Sequence, residues 1–282
     1  MKVSGFTFCR DAVRFDYPVV ESIRSILPMV DEYIVNVGKS DDGTLERIRS
    51  IGDPKIRIVE SIWDESLRKD GLIFSQQTNI ALAHCTGDWA FYLQADEVIH
   101  EDDLMKIRGA MERYLEDPEV FGLMFRYLHF KGDYHSIDPW MYRREIRIVR
   151  NNGRVRSSGD ATGFALSADQ RGINLKKETG RWRPADGRIF HYGWVKDPRT
   201  LVQKKRVQIA FHHGNAIPEH DQSFFKEESY AFEKYDILKE FRGSHPAVMA
   251  ERLSRFPRLA PRRNRWLNLR FYQEVLRHGF KG

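Results

Sequence analysis

Two carboxylates follow a short apolar run. After W-A-F-Y-L at residues 89–93 the chain reads Gln94-Ala95-Asp96-Glu97. A run that apolar reads as a buried strand, and acids at its carboxyl end have no helix terminus to cap. Ligands of open α/β sheets gather outside strand carboxyl ends. Oxygen donors there suit a hard cation such as Mg²⁺ or Mn²⁺, which keeps places for phosphate oxygens. Asp96 and Glu97 are therefore candidate metal ligands, whereas Asp102 and Asp103 suit the positive end of a helix that starts there. A second candidate is G-K-S-D-D-G-T at residues 38–44. Two readings stand for it: an Asx turn at Asp41-Asp42-Gly43, or a carboxylate and backbone groups that hold a nucleotide base or ribose. His191, in I-F-H-Y-G-W, is either a packed core histidine or a neutral imidazole that shares a cation with Asp96.

The elements that would position these groups alternate. Residues 3–9, 32–37, 56–59 and 89–93 read as strands. Between them, residues 18–30 carry Val19, Val20, Ile23, Ile26 and Leu27 on one helical face, with Pro18 in the first turn and Pro28 as the stop. Residues 44–51, 75–84 and 102–115 read as further helices. This rhythm predicts βαβ units, an α/β fold and a largely parallel sheet. Past residue 120, strands are expected at 121–129, 145–150, 164–166 and 188–194, and helical periodicity returns at 198–212, 222–242 and 246–256. The expected organisation is an α/β domain over 1–197 and a helical region over 198–282.

Together these motifs resemble a family 2-type glycosyltransferase of GT-A fold, of the bacterial cell-envelope and lipopolysaccharide kind. The resemblance rests on F-T-F-C-R-D after the first strand and S-D-D-G-T after the second. It continues through the helix Q-Q-T-N-I-A-L-A-H-C-T-G-D-W and then F-Y-L-Q-A-D-E-V. It implies sugar transfer from a nucleotide-diphosphate donor, with inversion, to a saccharide or lipid-linked acceptor. It also implies that Asp96 holds a Mn²⁺ or Mg²⁺ ion on the donor diphosphate and that a late histidine, here His191, completes the metal site. Gln94 stands where the family's D-x-D motif has its first acid; its amide suits a sugar or ribose hydroxyl and is a poor Mn²⁺ ligand. By the same resemblance, Cys9, Arg10, Asp11, Asn36, Lys39 and Asp42 would contact the donor nucleotide. Relatives place the catalytic base after an R-x-x-R strand. Here Arg147-Ile148-Val149-Arg150 precedes Gly159-Asp160, and Asp160 is the nearest acid, with Glu145 and Asp186 as rivals and a plain turn role as the alternative.

Charge speaks to location more than to chemistry. The chain carries 46 Lys and Arg against 40 Asp and Glu, net +6. Residues 251–282 hold nine of the basic and two of the acidic groups, so +7, and the remaining 250 residues carry −1. A near-neutral body argues against a nucleic-acid coat. The basic tail offers either a peripheral contact with anionic lipid, about 1 kcal/mol per Lys or Arg, or a helix that docks its stripe of Leu267, Phe271 and Val275 on its own domain. Two cysteines, Cys9 and Cys85, form no disulfide framework and suit a reducing, cytoplasmic setting. The start shows no cleavage-site pattern, and no stretch reaches the ~18 apolar residues of a membrane span. Two other functions compete: a nucleotidyltransferase, which would need a Gly-rich basic loop where G-F-T-F-C-R-D stands, and a nucleic-acid-binding protein that uses the tail.

Overall fold

A computed structural model describes residues 1–166, 173–178, 180–213, 217–222, 226, 228, 237–255 and 265–279. The elements run β1 (Val3–Cys9), α1 (Val19–Ile26), β2 (Glu32–Gly38), α2 (Thr44–Arg49), β3 (Ile56–Ser61), a 3-10 turn (Glu65–Gly71), α3 (Leu72–Leu82), β4 (Trp89–Tyr92), β5 (Glu97–Ile99) and α4 (Glu101–Arg113). Then follow β6 (Gly122–Lys131), β7 (Ser136–Ile137), β8 (Arg144–Arg150), β9 (Val155–Ser158), β10 (Gly163–Leu166), β11 (Ile173–Asn174) and β12 (Trp182–Trp194). The chain ends in α5 (Pro198–His213), α6 (Glu219–Gln222), β13 (Lys239–Glu240), α7 (Ala250–Leu253) and α8 (Leu269–His278).

Strand alternation sorts the core into two layers. Tyr33, Val35 and Val37 of β2, with Trp89 and Phe91 of β4, pack with Ile23 and Ile26 of α1 and Ile107 and Met111 of α4. The intervening Ile34, Ala90 and Tyr92 turn to the other side and meet Ala81 and Leu82 at the end of α3. Both faces are covered, which is why these strands read as unbroken apolar runs.

The central sheet runs β13-β7-β6-β8-β4-β1-β2-β3, and β12 pairs with β6 and β5. It is parallel across β4-β1-β2-β3 and between β6 and β12, and antiparallel where β8 joins β4 and β6. The expected parallel character therefore holds for the first half of the chain and gives way to a mixed sheet after residue 120. Strands β5, β7, β9 and β11 are two to four residues long, too short for a periodic signal.

The C-terminal region is joined to the core. On α7, Arg252 donates to Glu21 (3.0 Å) and Asp16 (2.8 Å), tying it to α1 and the preceding loop. Ring contacts link Phe271 of α8 to Trp140 and Trp266, with Phe271 buried. Leu267, expected on the same stripe, is 85% exposed, and Val275 is half-buried. Most of the helix expected at 222–242, and the tail residues Arg258, Arg262, Arg263 and Lys281, lie outside the described residues. No helix among the described residues is long and apolar enough to cross a membrane.

His245 is packed among Phe130, Phe241 and Tyr192. Its Nε2 donates to the Tyr134 carbonyl (2.9 Å), and its Nδ1 accepts from the Tyr192 hydroxyl (2.8 Å). Burial pushes its pKa down to about 4. The unfolded chain, with an ordinary histidine near 6.5, then binds the proton first, so this contribution is complete above about pH 6.5 and is lost as pH falls toward 4. The urea midpoint is expected to drop between pH 7 and pH 5, and the drop should be smaller in His245→Asn. An identical pH profile in the variant would contradict this.

Candidate active site

A cleft of about 320 Å³ opens at the carboxyl ends of β1 and β4, a size that suits a small organic ligand. Asp96 enters it from the segment between β4 and β5. His191 comes from β12, because β5 and β12 pair antiparallel with His191 opposite Glu97. The Tyr192 amide donates to the Asp96 carbonyl at 2.8 Å, which locks the two strands beside each other. His191 Nε2 lies 3.7 Å from Asp96 Oδ1. Gly193 permits this approach: a Cβ there would sit 2.5 Å from Asp96 Oδ2 and 2.9 Å from the His191 ring.

Asp96 is buried, and burial alone would raise its pKa. Lys204, the foremost opposing charge, outweighs that and holds the carboxyl well below the usual range, so it is ionised. Lys204 Nζ donates to Asp96 Oδ2 (3.2 Å) and to the Gly193 carbonyl (3.1 Å). Lys196 Nζ, buried nearby, donates to the Phe15 carbonyl at 2.6 Å, and burial pushes its pKa well below the usual lysine range.

The tautomer of His191 follows from its neighbour. His129 faces it across the β6–β12 register. Burial and then His191 push His129 down to about 3, so it is neutral. Its Nε2 lies 2.7 Å from the Tyr142 carbonyl, which can only accept, so that nitrogen carries the proton. His129 Nδ1 must then accept from His191 Nδ1, 3.1 Å away. Burial lowers His191 to about 4, so it too is neutral, with its remaining lone pair on Nε2 beside Asp96. A ligating histidine whose other ring N–H is engaged by a protein acceptor has this arrangement.

Asp96 and His191 thus offer two donors to a divalent cation. No group of three or more His, Cys, Asp or Glu able to hold a metal occurs among the described residues. The pair fits a cation shared with a diphosphate and water, and does not fit an all-protein cage. Glu97, expected as a further ligand, needs correction. It does not line the cleft; its side chain is fully buried and both oxygens are taken. Arg147 donates to them at 2.8 and 2.9 Å, the Tyr127 hydroxyl at 2.8 Å and the Gln94 main-chain N–H at 3.1 Å.

This ion pair positions the site from behind. Arg147 also donates to the Thr162 carbonyl at 2.8 Å, and Gln94 Nε2 to the Ala161 carbonyl at 3.4 Å. The loop that carries Asp160 is thereby tied to the segment that carries Asp96. Removing one partner of such a buried pair leaves an unpaired charge and costs about 3–5 kcal/mol. Arg147→Met is expected to lose that much in urea unfolding, and Glu97→Leu/Arg147→Met to lose less. Equal losses in both would contradict the pair's coupling.

Asp160 lines the cleft, as do Cys9, Arg10 and Gln94. It sits at the β9–β10 turn, exposed, with one oxygen accepting from the Thr162 amide (3.1 Å). Its rivals are elsewhere: Glu145 is buried against Lys176, and Asp186 pairs with Arg113 at 3.5 Å outside the cleft. Cys9 is a neutral thiol, since burial pushes its pKa up to about 12. Asp11 lines a smaller hollow beside the cleft and pairs with Arg14.

Besides Asp11, three further expected nucleotide contacts do not line the cleft. Asn36 is fully buried and donates to Gln77 (2.9 Å), so it is closed to a base. Lys39 is exposed away from it. Asp42 accepts from the Thr44 hydroxyl (2.6 Å) and the Arg14 amide (2.8 Å), which makes it the Asx-turn acid that ties two loops together.

The expected boundary at residue 197 would divide the cleft, because α5 supplies Lys204, Gln208 and His212 to it. Their four-residue spacing puts them on one helix face, a signal present in the sequence. Trp63 and Phe74 wall the other side and pack with Phe211 at ring distances of 5.5 and 5.4 Å. A Cβ on Gly38 would meet the Trp63 indole at 2.3 Å, which explains the glycine that ends β2.

Residues 17–171 match the family described as Glycosyl transferase family 2. Among curated proteins no significant match is found. Solved structures show distant likeness. S. aureus TarS 1–349 in complex with UDP-GlcNAc is 12% identical, with 79% of this chain and 70% of that chain covered and a TM-score of 0.41. Glucosyl-3-phosphoglycerate synthase from Mycobacterium tuberculosis is 14% identical, with 57% and 61% covered and a TM-score of 0.37. The chain spans 42% of the S. aureus TarS structure. The family match takes in more than half of the 282 residues, and on it the protein belongs to glycosyl transferase family 2.

Proposed function

We propose that the cleft binds a nucleotide-diphosphate sugar and transfers the sugar, with inversion, to an acceptor hydroxyl. The observation that carries this reading is the meeting of Asp96, His191, Lys204 and Asp160 around one cleft. Asp96 is ionised and buried beside a histidine whose free lone pair lies next to it, which suits the diphosphate end of the donor. When bound, a divalent cation there supplies Lewis-acid stabilisation of the departing diphosphate. Lys204 and Arg10 add fixed positive charge around the same leaving group. The Trp63–Phe74 wall accepts a flat or ring-shaped part of the donor by stacking.

Asp160 takes the proton of the attacking hydroxyl. It is the one carboxylate besides Asp96 among the described residues that line the cleft, and a base must reach the acceptor's proton. His212 is a second reading for the base, because it lies against the same glycine, Gly71, as Asp160 does. The acceptor is a saccharide, free or lipid-linked, and the basic C-terminal segment favours action at an anionic membrane surface.

The donor base is read directly by a thermal-shift panel of UDP, GDP, ADP, CDP and TDP, with and without Mn²⁺. A ligand that binds only the native state raises the midpoint by mass action. At least one nucleotide is expected to do so, more strongly with Mn²⁺. No shift with any of them would overturn the reading.

A further inference from the structure

A second concave surface shares no residue with the cleft. It is a hollow of about 570 Å³ walled by β6, β8, β12 and α4. Across it runs a row of arginines brought into register by strands far apart in sequence. Arg188 of β12 is the register partner of Arg126 of β6, and Arg126 is the register partner of Arg144 of β8. All three side chains are exposed and line the hollow.

Register partners project to the same face, and neighbouring strands lie about 5 Å apart, so the row spans roughly 10 Å. Like charges placed directly opposite each other destabilise a sheet. Only one end of the row is neutralised. Arg188 pairs with Asp103 at 3.0 Å, and that carboxylate also holds Lys106 at 3.2 Å. The hollow's other acid, Asp186, pairs with Arg113. Neither the Arg126 nor the Arg144 side chain has a hydrogen bond or an ion pair among the described residues. Of the hollow's four cations, Lys106 and Arg188 share Asp103, Asp186 is engaged by Arg113, and the guanidinium forks of Arg126 and Arg144 stand side by side without a counter-charge.

We propose that this row is an anion-binding site, separate from the cleft, for a soluble ligand that carries two or more adjacent phosphate groups. Two forks about one strand spacing apart match neighbouring phosphates, and each fork binds an oxyanion in bidentate fashion. The concavity of the hollow favours a small or linear ligand over a flat lipid surface. Trp182 and Pro184, on the same wall, suit a ligand whose phosphates are attached to a ring-bearing or saccharide body.

The test is calorimetric titration with inorganic tripolyphosphate of the full chain and of Arg126→Gln/Arg144→Gln. The wild type should bind one more equivalent than the variant does, or bind roughly a hundredfold more tightly at this site, tenfold for each guanidinium–phosphate bond removed. Arg126→Lys/Arg144→Lys should retain part of the affinity, since the charge stays and the fork goes. Equal binding by wild type and the glutamine variant overturns the site, as does no binding by either. Phosphatidylglycerol vesicles form a second arm: vesicle binding that is lost in the glutamine variant, with no tripolyphosphate binding by the wild type, contradicts a soluble ligand. Both positions are exposed, so the glutamine variant should fold. Its nucleotide-dependent thermal shift should equal that of the wild type, which separates failure here from failure of the transferase reading.

Discussion

Replacing Asp160 by asparagine is expected to lower kcat for sugar transfer by roughly 10²–10⁴-fold, the usual contribution of a positioned general base. Donor KM and nucleotide binding should stay near wild type. The amide keeps the shape of the turn and its acceptor oxygen, so the Thr162 amide retains its partner. Lost is only the ability to take a proton. The loop is held by Arg147 and Gln94 through the carbonyls of Thr162 and Ala161, and neither bond involves the Asp160 side chain. A loss confined to donor affinity would show that Asp160 touches the donor instead. Near-normal turnover in Asp160→Asn with a collapse in His212→Asn would move the base to α5.

Replacing Asp96 by asparagine should act differently. Both donor binding and kcat should fall, with kcat/KM reduced by roughly 10²–10³-fold, the scale on which one preorganised electrostatic group acts. The new side-chain amide would be neutral and a weak cation ligand, and Lys204 would lose the carboxylate that holds it at 3.2 Å. The ammonium would then be buried without a counter-charge, so stability should fall as well. The low pKa of Asp96 adds a pH signature. Its contribution to stability is present above the ordinary aspartate value and is lost as pH falls toward the depressed folded value. Full transferase activity in Asp96→Asn would sink the diphosphate-end assignment.

Much of the frame was legible because it depends on local periodicity. The runs around Phe6, Val35 and Phe91 are apolar on both faces, as strands buried between two helical layers must be. Asp96 stood out by its place at the end of such a strand. Glu97 departs from its expected role as a ligand because residues 94–97 form a turn, closed by the Glu97 amide donating to the Gln94 carbonyl at 3.0 Å. Asp96 lies in the turn and lines the cleft, whereas Glu97 starts β5 and meets Arg147 in the interior. Lys204 sits in a run of three basic residues, Lys204-Lys205-Arg206, where nothing local says which one faces the site. Its spacing with Gln208 and His212 on one helix face does.

What depends on register was not legible. The contact of His129 with His191 fixes a tautomer, and it exists because residues 62 apart are paired across β6 and β12. The arginine row has the same origin, since positions 126, 144 and 188 meet only once three strands have chosen their partners. Asn36 departs from expectation for the complementary reason. The resemblance implies a nucleotide contact there, but the packing of α3 over β2 gives it Gln77 and seals it from the cleft.

The central claim is that Asp96 and His191 hold the diphosphate end of a nucleotide sugar. It is tested most directly by calorimetric titration of wild type, Asp96→Asn and His191→Phe with the nucleoside diphosphate that the panel selects, in the presence and absence of Mn²⁺. The account predicts saturable 1:1 binding to the wild type that strengthens with Mn²⁺, and loss of that strengthening in both variants. Mn²⁺-dependent binding of undiminished affinity in both variants would contradict it.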